Sequence, residues 1–237
     1  MWRLVVYSRS PVCVWGRRKG PMKLLSNKVR GLGSFDKRNE VRRLVSEKNP
    51  FILCIQEIKL GVVNDLLVKS MWGNSPCSYS YQSSKGASGG LLTVWDTDVV
   101  DVWSTSNLSH ALVIRGRIIR TSQDFVIVNV YAPCGTVAKQ VLWNQLSGFV
   151  LNNGDANLCL CGDFNSVRSS EERKHRGSVF RQHDTNIFNA FITDSLLVDL
   201  PICGRLFTWY RGDDYSMSRL DRFLLSYNWC SAWRNSV

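Results

Sequence analysis

The chain has 237 residues, of which 44% are hydrophobic, and its formal net charge is +11. This length fits one large α/β domain better than two small ones, and no apolar run approaches the ~18 residues of a membrane span, so we expect no membrane attachment. The excess of positive charge is the usual electrostatic signature of a polyanionic partner, with nucleic acid as the first candidate, although basic surfaces also serve solubility alone.

The N-terminal segment differs from the rest in charge. Residues 1–21 contain no acid, and their basic side chains are Arg3, Arg9, Arg17, Arg18 and Lys19. An organelle transit segment, a disordered basic arm or an accidental extension ahead of Met22 would each have this composition. We favour a poorly ordered arm followed by one domain over residues 22–237, and the lack of a long apolar segment argues against secretion.

The cysteines carry no sign of a disulfide framework. Eight are present, with no C-x-x-C pair and no Cys/His cluster at zinc spacing. Several lie inside apolar runs, where cysteine behaves as a small buried hydrophobe. We therefore expect reduced thiols in an intracellular protein of the nucleus or cytoplasm.

From Met22 onward the chain alternates strand-like and helix-like segments. Ser34 caps a helix that ends at Asn49-Pro50, and two later helices are predicted at about Lys139–Leu151 and Gln182–Leu196. Strands are predicted at Lys23–Arg30, Phe51–Gln56, Gly90–Trp95, Ala111–Ile119, Phe125–Tyr131, Leu158–Cys161, Arg205–Trp209 and Arg219–Leu225. Many strands with few helices favour stacked sheets flanked by helices over a strictly alternating parallel sheet.

The run Leu158–Val167 carries the clearest chemical signal. Its apolar start predicts a buried strand that breaks at Gly162 and presents Asp163 and Asn165, which project from the same face in extended chain. A carboxylate can bind a metal or take a proton from water, and an amide can hold an oxyanion, so the pair suits hydrolysis of a phosphate ester. The alternative is a strand followed by an Asx-type turn with no catalytic role.

Polar side chains stand at the ends of other strands as well. Glu57 closes the strand at Gln56, Asn129 and Tyr131 close another, and Ser218–Asp221 opens the final one. Such strand ends are where ligands of stacked α/β sheets collect. We therefore predict that these strand ends meet at one edge of the stacked sheets, which we call the rim, and that the rim includes Asp163 and Asn165.

Five segments of the chain form a recognisable series. In chain order they are KVRGLGSFDKRNEVRRLVSEKNPFILCIQEIKL, GASGGLLTVWD, VIVNVYAP, LCLCGDFNSV and DLPICGRLFTWYRGDDYSMSRLDRFLLS. Together they look like the endonuclease domain of plant LINE-type (non-LTR) retrotransposons, which belongs to the endonuclease/exonuclease/phosphatase superfamily together with the apurinic-site endonucleases. The resemblance implies a four-layer α/β sandwich and Mg²⁺-dependent cleavage of phosphodiester bonds in DNA.

The resemblance implies a role for each rim residue. Glu57 would bind Mg²⁺, with Mn²⁺ as the alternative ion, and Tyr131 would contact the scissile phosphate. Asp163 would orient or deprotonate the attacking water, Asn165 would steady the transition state, and Asp221 would hold and polarise a catalytic histidine. Plain structural roles stay open for Glu57, as a strand-end cap, and for Tyr131, as a packing residue.

Three further residues are assigned to substrate binding: Asn129, Ser218 and Arg219. For Arg219 two partners are open, a phosphate group or an acid of the core. Trp209 is expected in the core, although a base-stacking role is the alternative.

The first departure from the family pattern is at Lys28. The family's first strand ends in an Asn that helps to hold the metal and phosphate, and the corresponding position here is Lys28. Asn27 lies one place early, where strand alternation points it to the other face. The ammonium should weaken metal binding by repulsion, although it could instead neutralise a carboxylate or contact phosphate.

The second departure concerns the catalytic histidine. In the family it lies in a Ser-Asp-His motif some tens of residues beyond SRLD, and the sequence reaches Val237 without it. His110, His175 and His183 are expected to be surface or structural residues. We expect the missing segment to remove a closing strand of the fold, leaving an unpaired sheet edge and uncovered apolar surface.

Three functional hypotheses follow from these observations. The first is an Mg²⁺-dependent DNA endonuclease with weak activity, and the second is a catalytically impaired remnant that still binds nucleic acid. The third is a phosphomonoesterase or lipid phosphatase on the same fold. The second fits the residues best, because loss of a general acid or base typically costs ~10²–10⁴ in rate.

Overall fold

The computed structural model describes residues 22–84, 89–175, 181–202, 206–212 and 215–233, and the backbone of 5–7. Two mixed β-sheets face each other through one apolar core, and helices cover the outer face of each sheet. The layers therefore run helices, sheet, sheet, helices, which confirms the predicted four-layer α/β sandwich.

The first sheet has five strands in the order β1-β2-β3-β5-β4, and helices α1 and α2 pack on its outer face. The Ser34 hydroxyl accepts a hydrogen bond from the backbone N–H of Lys37 at 3.3 Å, so α1 begins at the predicted cap. The elements are β1 (Val5–Tyr7), β2 (Lys23–Lys28), α1 (Phe35–Lys48), β3 (Ile52–Gln56), α2 (Asp65–Trp72), β4 (Cys77–Gln82) and β5 (Leu91–Asp96).

The second sheet has six strands in the order β11-β14-β9-β8-β7-β6, and α3 and α4 pack on its outer face. A small sheet in the order β10-β13-β12 accompanies it. The elements are β6 (Val100–Leu108), β7 (Ala111–Ile118), β8 (Gln123–Tyr131), α3 (Thr136–Leu151), β9 (Leu158–Asp163), a 3₁₀ turn (Ser170–Glu172), β10 (Arg173–Lys174), α4 (Gln182–Asp194), β11 (Val198–Asp199), β12 (Trp209–Tyr210), β13 (Met217–Ser218), β14 (Asp221–Leu225) and α5 (Tyr227–Ala232).

The sequence of strand β9 does not alternate between apolar and polar residues, and its position in the sheet explains this. Leu160 packs toward α3 and α4, whereas Cys159 and Cys161 pack into the core between the sheets. Every residue of the strand is buried because both faces are covered. The six described cysteines are all free thiols, and Cys54, Cys159 and Cys161 are fully buried.

The late part of the chain differs from the sequence prediction. Residues 203–205 lie outside the described part, and the strand predicted at Arg205–Trp209 is wrong, because the strand is only Trp209–Tyr210. The last strand begins at Asp221 instead of Arg219. The turn before it is held by the Thr208 hydroxyl, which accepts hydrogen bonds from the N–H groups of Leu220 and Asp221.

The N-terminal segment contributes one strand to the structure. Val5–Tyr7 pairs in parallel with Lys23–Leu25, so the outer edge of β2 is covered by β1. The rest of the arm predicted over 1–21 lies outside the described residues. Across the described ranges, no helix has the length and apolar character needed to cross a membrane.

Candidate functional site

Strand pairing brings the predicted rim together. Tyr131 of β8 lies beside Asp163 of β9, and Asp163 lies opposite Asp221 of β14. Paired residues on neighbouring strands project from the same face, so these three side chains share one side of the sheet. In the facing sheet, Lys28 of β2 pairs with Gln56 of β3. The two sets meet at one end of the sandwich.

The chain after β9 is fixed by its own polar groups. Asp163 is fully buried, and its Oδ1 accepts a hydrogen bond from the backbone N–H of Asn165 at 2.8 Å. Asn165 has a φ of 46° and donates its side-chain amide to the Ala132 carbonyl at 2.6 Å. An Asx-type turn is therefore present, and the same turn places both residues at the rim.

Glu57 is placed by a tight approach of two loops. It follows β3 with a φ of 58°, and the next residue, Ile58, donates its N–H to the Gly90 carbonyl at 3.2 Å. Gly90 has a φ of +84°, and a Cβ there would lie 2.6 Å from Ile58 Cγ1. A residue with a side chain would therefore be strained at this position, and glycine permits the close approach of the two loops.

Lys28 occupies the middle of the rim. Its Nζ lies 2.6 Å from Asp163 Oδ2 and 3.5 Å from Glu57 Oε2. The same ammonium lies over the Tyr131 ring, 5.2 Å from its centroid. Glu57 also pairs with Lys59, at 3.1 Å through Oε1. Of the alternatives predicted for Lys28, its contacts are those of a cation that neutralises carboxylates.

The pKa values of Asp163 and Glu57 shift in opposite directions. Burial raises the pKa of the Asp163 carboxyl more than the charge and hydrogen bond of Lys28 lower it. For Glu57, burial acts in the same direction but is outweighed by Lys59 and Lys28, and its pKa falls below the usual 4.5. The difference follows from solvent access, since Asp163 is fully buried and Glu57 is not.

The pKa values of Lys28 and Tyr131 are both raised at the rim. Burial would lower the pKa of Lys28, but Asp163 outweighs it and the pKa rises above 10.5. Burial is the main cause that raises the pKa of Tyr131 to about 12, against the opposing charge of Lys28. At neutral pH, the rim therefore presents an ammonium and a protonated phenol.

Asn129 has a structural place instead of a place at the rim. It is fully buried, and its amide Nδ2 donates across the sheets to the Leu92 carbonyl at 3.1 Å and the Thr93 hydroxyl at 3.2 Å. Its Oδ1 accepts from Gln56 Nε2 at 2.7 Å. These bonds occupy the side chain and leave no surface for substrate, so the predicted substrate contact does not fit this structure.

Ser218 and Arg219 also have defined places. Ser218 is buried, and it lines the cavity beside the rim. Arg219 pairs with Glu172 at 3.2 Å and with Asp199 at 3.0 Å, so its contacts are those of the core-acid alternative. Asp221 is partly buried on the face that carries Asp163.

A cavity of about 680 Å³ adjoins the rim. Lys28 and Asn165 line the cavity on the side of the rim. Trp209 is half-buried and also lines the cavity. Its charged lining is predominantly basic, with Lys28, Lys139, Arg173 and Arg181 against Asp184. The cavity is therefore suited to an anionic ligand.

Sequence reasoning missed the basic residues of this cavity other than Lys28. Lys139 is buried, and its Nζ donates to the Asn165 carbonyl at 2.6 Å. It lies on the buried face of α3 with Leu142 and Leu146. A lysine within an apolar stripe was the available signal, because a buried ammonium needs a polar partner. Arg173 and Arg181 reach the cavity only through tertiary structure, and the sequence carries no local signal for them.

The three histidines are exposed at the surface. His110 is exposed, has a φ of 63° and lines a second cavity of about 380 Å³ together with Tyr131. His175 and His183 are exposed near the start of α4. These positions match the surface places predicted for them.

The rim residues do not fit a divalent metal ion as they stand. An ion held by Glu57 and Asp163 would need the oxygens that face Lys28. Over the described residues, no group of three or more His, Cys, Asp or Glu side chains is arranged to hold a metal. Mg²⁺ prefers one or two free carboxylates and near-ideal octahedral geometry, and here an ammonium stands between the two available acids.

The layers and the rim place the chain among α/β sandwich proteins with a polar site at the ends of the inner strands. The profile of the Endonuclease/Exonuclease/phosphatase family matches residues 24–236, and the chain belongs to this family. No curated protein sequence matches it.

Solved structures share the fold at low sequence identity. AP endonuclease LMAP from Leishmania major is 16% identical, with 88% of this chain and 80% of that one covered and a TM-score of 0.70. The 3′ phosphatase NExo from Neisseria, bound to product DNA hairpin, is 20% identical, with 87% of each chain covered and a TM-score of 0.66. The endonuclease domain of TRAS1, a telomere-specific non-LTR retrotransposon, is 15% identical, with 88% and 86% covered and a TM-score of 0.64.

Proposed function

We propose that this protein binds DNA in the basic cavity and that its rim is a phosphodiesterase site of the LINE-type endonuclease kind with weak or absent Mg²⁺-dependent cleavage. The observation that carries the proposal is the place of Lys28. Its ammonium lies 2.6 Å from the Asp163 carboxylate, the group expected to handle the attacking water, and also lines the cavity.

Binding is supported by charge and shape. The formal net charge is +11, and four basic side chains line the cavity beside the rim. Family membership and fold neighbours that include AP endonucleases, a retrotransposon endonuclease and a phosphatase bound to a DNA hairpin are consistent with a DNA ligand. A polyanion bound in this way releases counterions, so its affinity should fall steeply with salt.

Impaired cleavage is supported by the state of Asp163. A carboxylate that accepts from the Asn165 N–H and pairs with Lys28 has both oxygens engaged. Before it could take a proton from water, it would have to leave the ammonium. A general base contributes ~10²–10⁴ in rate, and this is the contribution that the pairing suppresses.

DNA binding is tested by fluorescence anisotropy with a labelled duplex between 50 and about 500 mM salt. We expect association that weakens linearly on a log–log plot, and a slope reduced by about one for each cavity arginine replaced, Arg173→Ala or Arg181→Ala. The matched control is Arg117→Ala, because Arg117 lies at the end of β7 that is far from the rim. This variant should leave the slope unchanged. No binding at 50 mM salt would contradict the proposal.

Cleavage is tested with supercoiled plasmid and with a 3′-phosphorylated hairpin, both with Mg²⁺. We expect no nicking, or nicking so slow that it needs a large excess of protein, and no phosphate release. Robust nicking that disappears in Asp163→Ala would show that the rim is a competent endonuclease. Phosphate release alone would favour the phosphomonoesterase alternative.

A further inference from the structure

We propose that Lys28 is a built-in cation that takes the place of a divalent metal ion at the rim, so that the rim engages phosphate without a metal. The part that concerns phosphate rests on the proposed function, whereas the part that concerns the metal does not. The observation is geometric: one ammonium lies between the two carboxylates that an ion would bridge.

The oxygens available to a metal are already engaged. Asp163 Oδ1 accepts the N–H of Asn165, and Oδ2 faces Lys28 at 2.6 Å. Glu57 Oε2 faces Lys28, and Oε1 faces Lys59 at 3.1 Å. A divalent ion could gain these ligands only by displacing one ammonium or both.

The local charge also removes the attraction for a second cation. Among the groups next to Lys28, the carboxylates of Glu57 and Asp163 are balanced by the ammonium groups of Lys28 and Lys59. An added divalent ion would be repelled by both lysines, whereas an anionic phosphate in the cavity would meet a lining in which Lys28, Lys139, Arg173 and Arg181 outnumber Asp184.

Lys28 is held in this place by its surroundings. Its backbone pairs with Gln56 in β3, and its side chain passes over the Tyr131 ring with Nζ at 5.2 Å from the centroid. Its side chain is only 15% exposed. A lysine fixed by a strand, a ring and two acids is a permanent part of the rim, unlike a surface lysine that samples many rotamers.

The metal part is tested by Mn²⁺ titration without DNA, read as paramagnetic broadening of the backbone amide signals of Ile58 and Asn165. For the wild-type protein we expect no broadening specific to these two signals. Lys28→Gln should bind Mn²⁺ at the rim at least about tenfold more tightly, because the replacement removes the charge and supplies a neutral oxygen. Adding Glu57→Gln to that variant should abolish the gain.

Lys59→Gln is the matched control. It removes one positive charge from Glu57 but leaves Lys28 between the acids, so it should not create the site. Specific broadening of both signals in the wild-type protein would overturn the proposal. This measurement needs no variant, so it decides the question even if Lys28→Gln does not fold.

The phosphate part is tested on wild-type protein with labelled duplex DNA, in EDTA or in Mg²⁺ at constant ionic strength. We expect the same affinity in both and a loss of affinity in Lys28→Met. Binding strengthened severalfold by Mg²⁺ would overturn the metal-free mode. Absence of DNA binding under both conditions would refute the proposed function while leaving the Mn²⁺ result to stand by itself.

Discussion

Two groups of charged side chains lie on neighbouring strands and are built differently. The rim group consists of Lys28, Glu57 and Asp163, and the arginine group consists of Arg219, Arg222, Glu172 and Asp199. They meet where β9 pairs with β14, because Asp163 lies opposite Asp221 and Gly162 lies opposite Arg222. Lys28 of the rim group lines the cavity, whereas the side chains of Arg222 and Asp199 in the arginine group are buried.

The arginine group is made of guanidinium forks. Arg222 is fully buried, donates to Asp199 at 2.7 Å and to Glu172, and its guanidinium lies 5.4 Å from the centre of the Phe188 ring. Arg219 contacts the same two acids. The group thereby ties β14 to the 3₁₀ turn and to β11. Planar forks suit this purpose because each arginine can satisfy two acids at once.

In the rim group, the acids are paired with the ammonium groups of lysines, each of which makes a single-point contact. Lys28 also lines the cavity. A lysine makes a point contact that an incoming anion can share, whereas each arginine of the other group already binds two acids. We therefore expect the buried arginine pairs to serve stability and the lysine pairs that border the cavity to serve binding.

The largest expected effect comes from breaking the arginine group. Arg222→Met leaves Arg219 to pair with both acids and Arg168 to pair with Asp199, and loss of a partner from a buried ion pair costs about 3–5 kcal/mol. Guanidinium chloride unfolding measures the free energy of unfolding. The control is Arg117→Met, since the Arg117–Asp124 pair is exposed and should contribute no measurable stability. Equal losses in the two variants would remove the distinction drawn between enclosed and open pairs.

The next effect concerns the residue that joins the two groups. Gly162 has a φ of +133°, and a Cβ there would lie 2.1 Å from the Val130 carbonyl oxygen. Gly162→Ala should therefore cost about 2–4 kcal/mol through backbone strain and overlap. Gly148→Ala within α3 meets no atom within 4 Å and should instead stabilise by about 0.5–1 kcal/mol. Thermal unfolding of both variants checks the pair, and a neutral Gly162→Ala would show that β9 can shift.

Local signals were enough to predict part of this arrangement. The apolar run of β9 and the Ser34 cap of α1 follow from neighbouring residues, and the four layers follow from the family resemblance. Helix α2 has only eight residues and β6 is largely exposed, and both were missed. The pairing of Arg222 with Glu172 joins residues 50 positions apart. The unusual position of Lys28 could be predicted from the sequence, but only the distances decide whether it repels a metal or neutralises an acid.

The smallest expected effect comes from two acids, Glu172 and Asp163, whose pKa values are shifted in opposite directions. Arg222 offsets the effect of burial and lowers the pKa of Glu172 below 4.5, so this carboxylate stabilises the fold above that pH, and the stability is lost as pH falls through the folded-state pKa. Burial raises the pKa of Asp163 above 3.8, so its ionisation removes stability as pH rises from that value. Glu172→Gln should cost about 1–2 kcal/mol at pH 7, and Asp163→Asn should cost nothing or stabilise slightly.

Urea unfolding of both variants between pH 3 and pH 7 separates the two cases. The deficit of Glu172→Gln relative to wild type should shrink toward pH 3, because wild-type Glu172 is then protonated as well. Any advantage of Asp163→Asn should grow from pH 3 to pH 7, because the wild-type protein then bears the cost of a buried charge. If Asp163→Asn instead loses as much as Glu172→Gln at pH 7, the Lys28 pair contributes more than burial removes, and the rim is as much a structural ion pair as the arginine group.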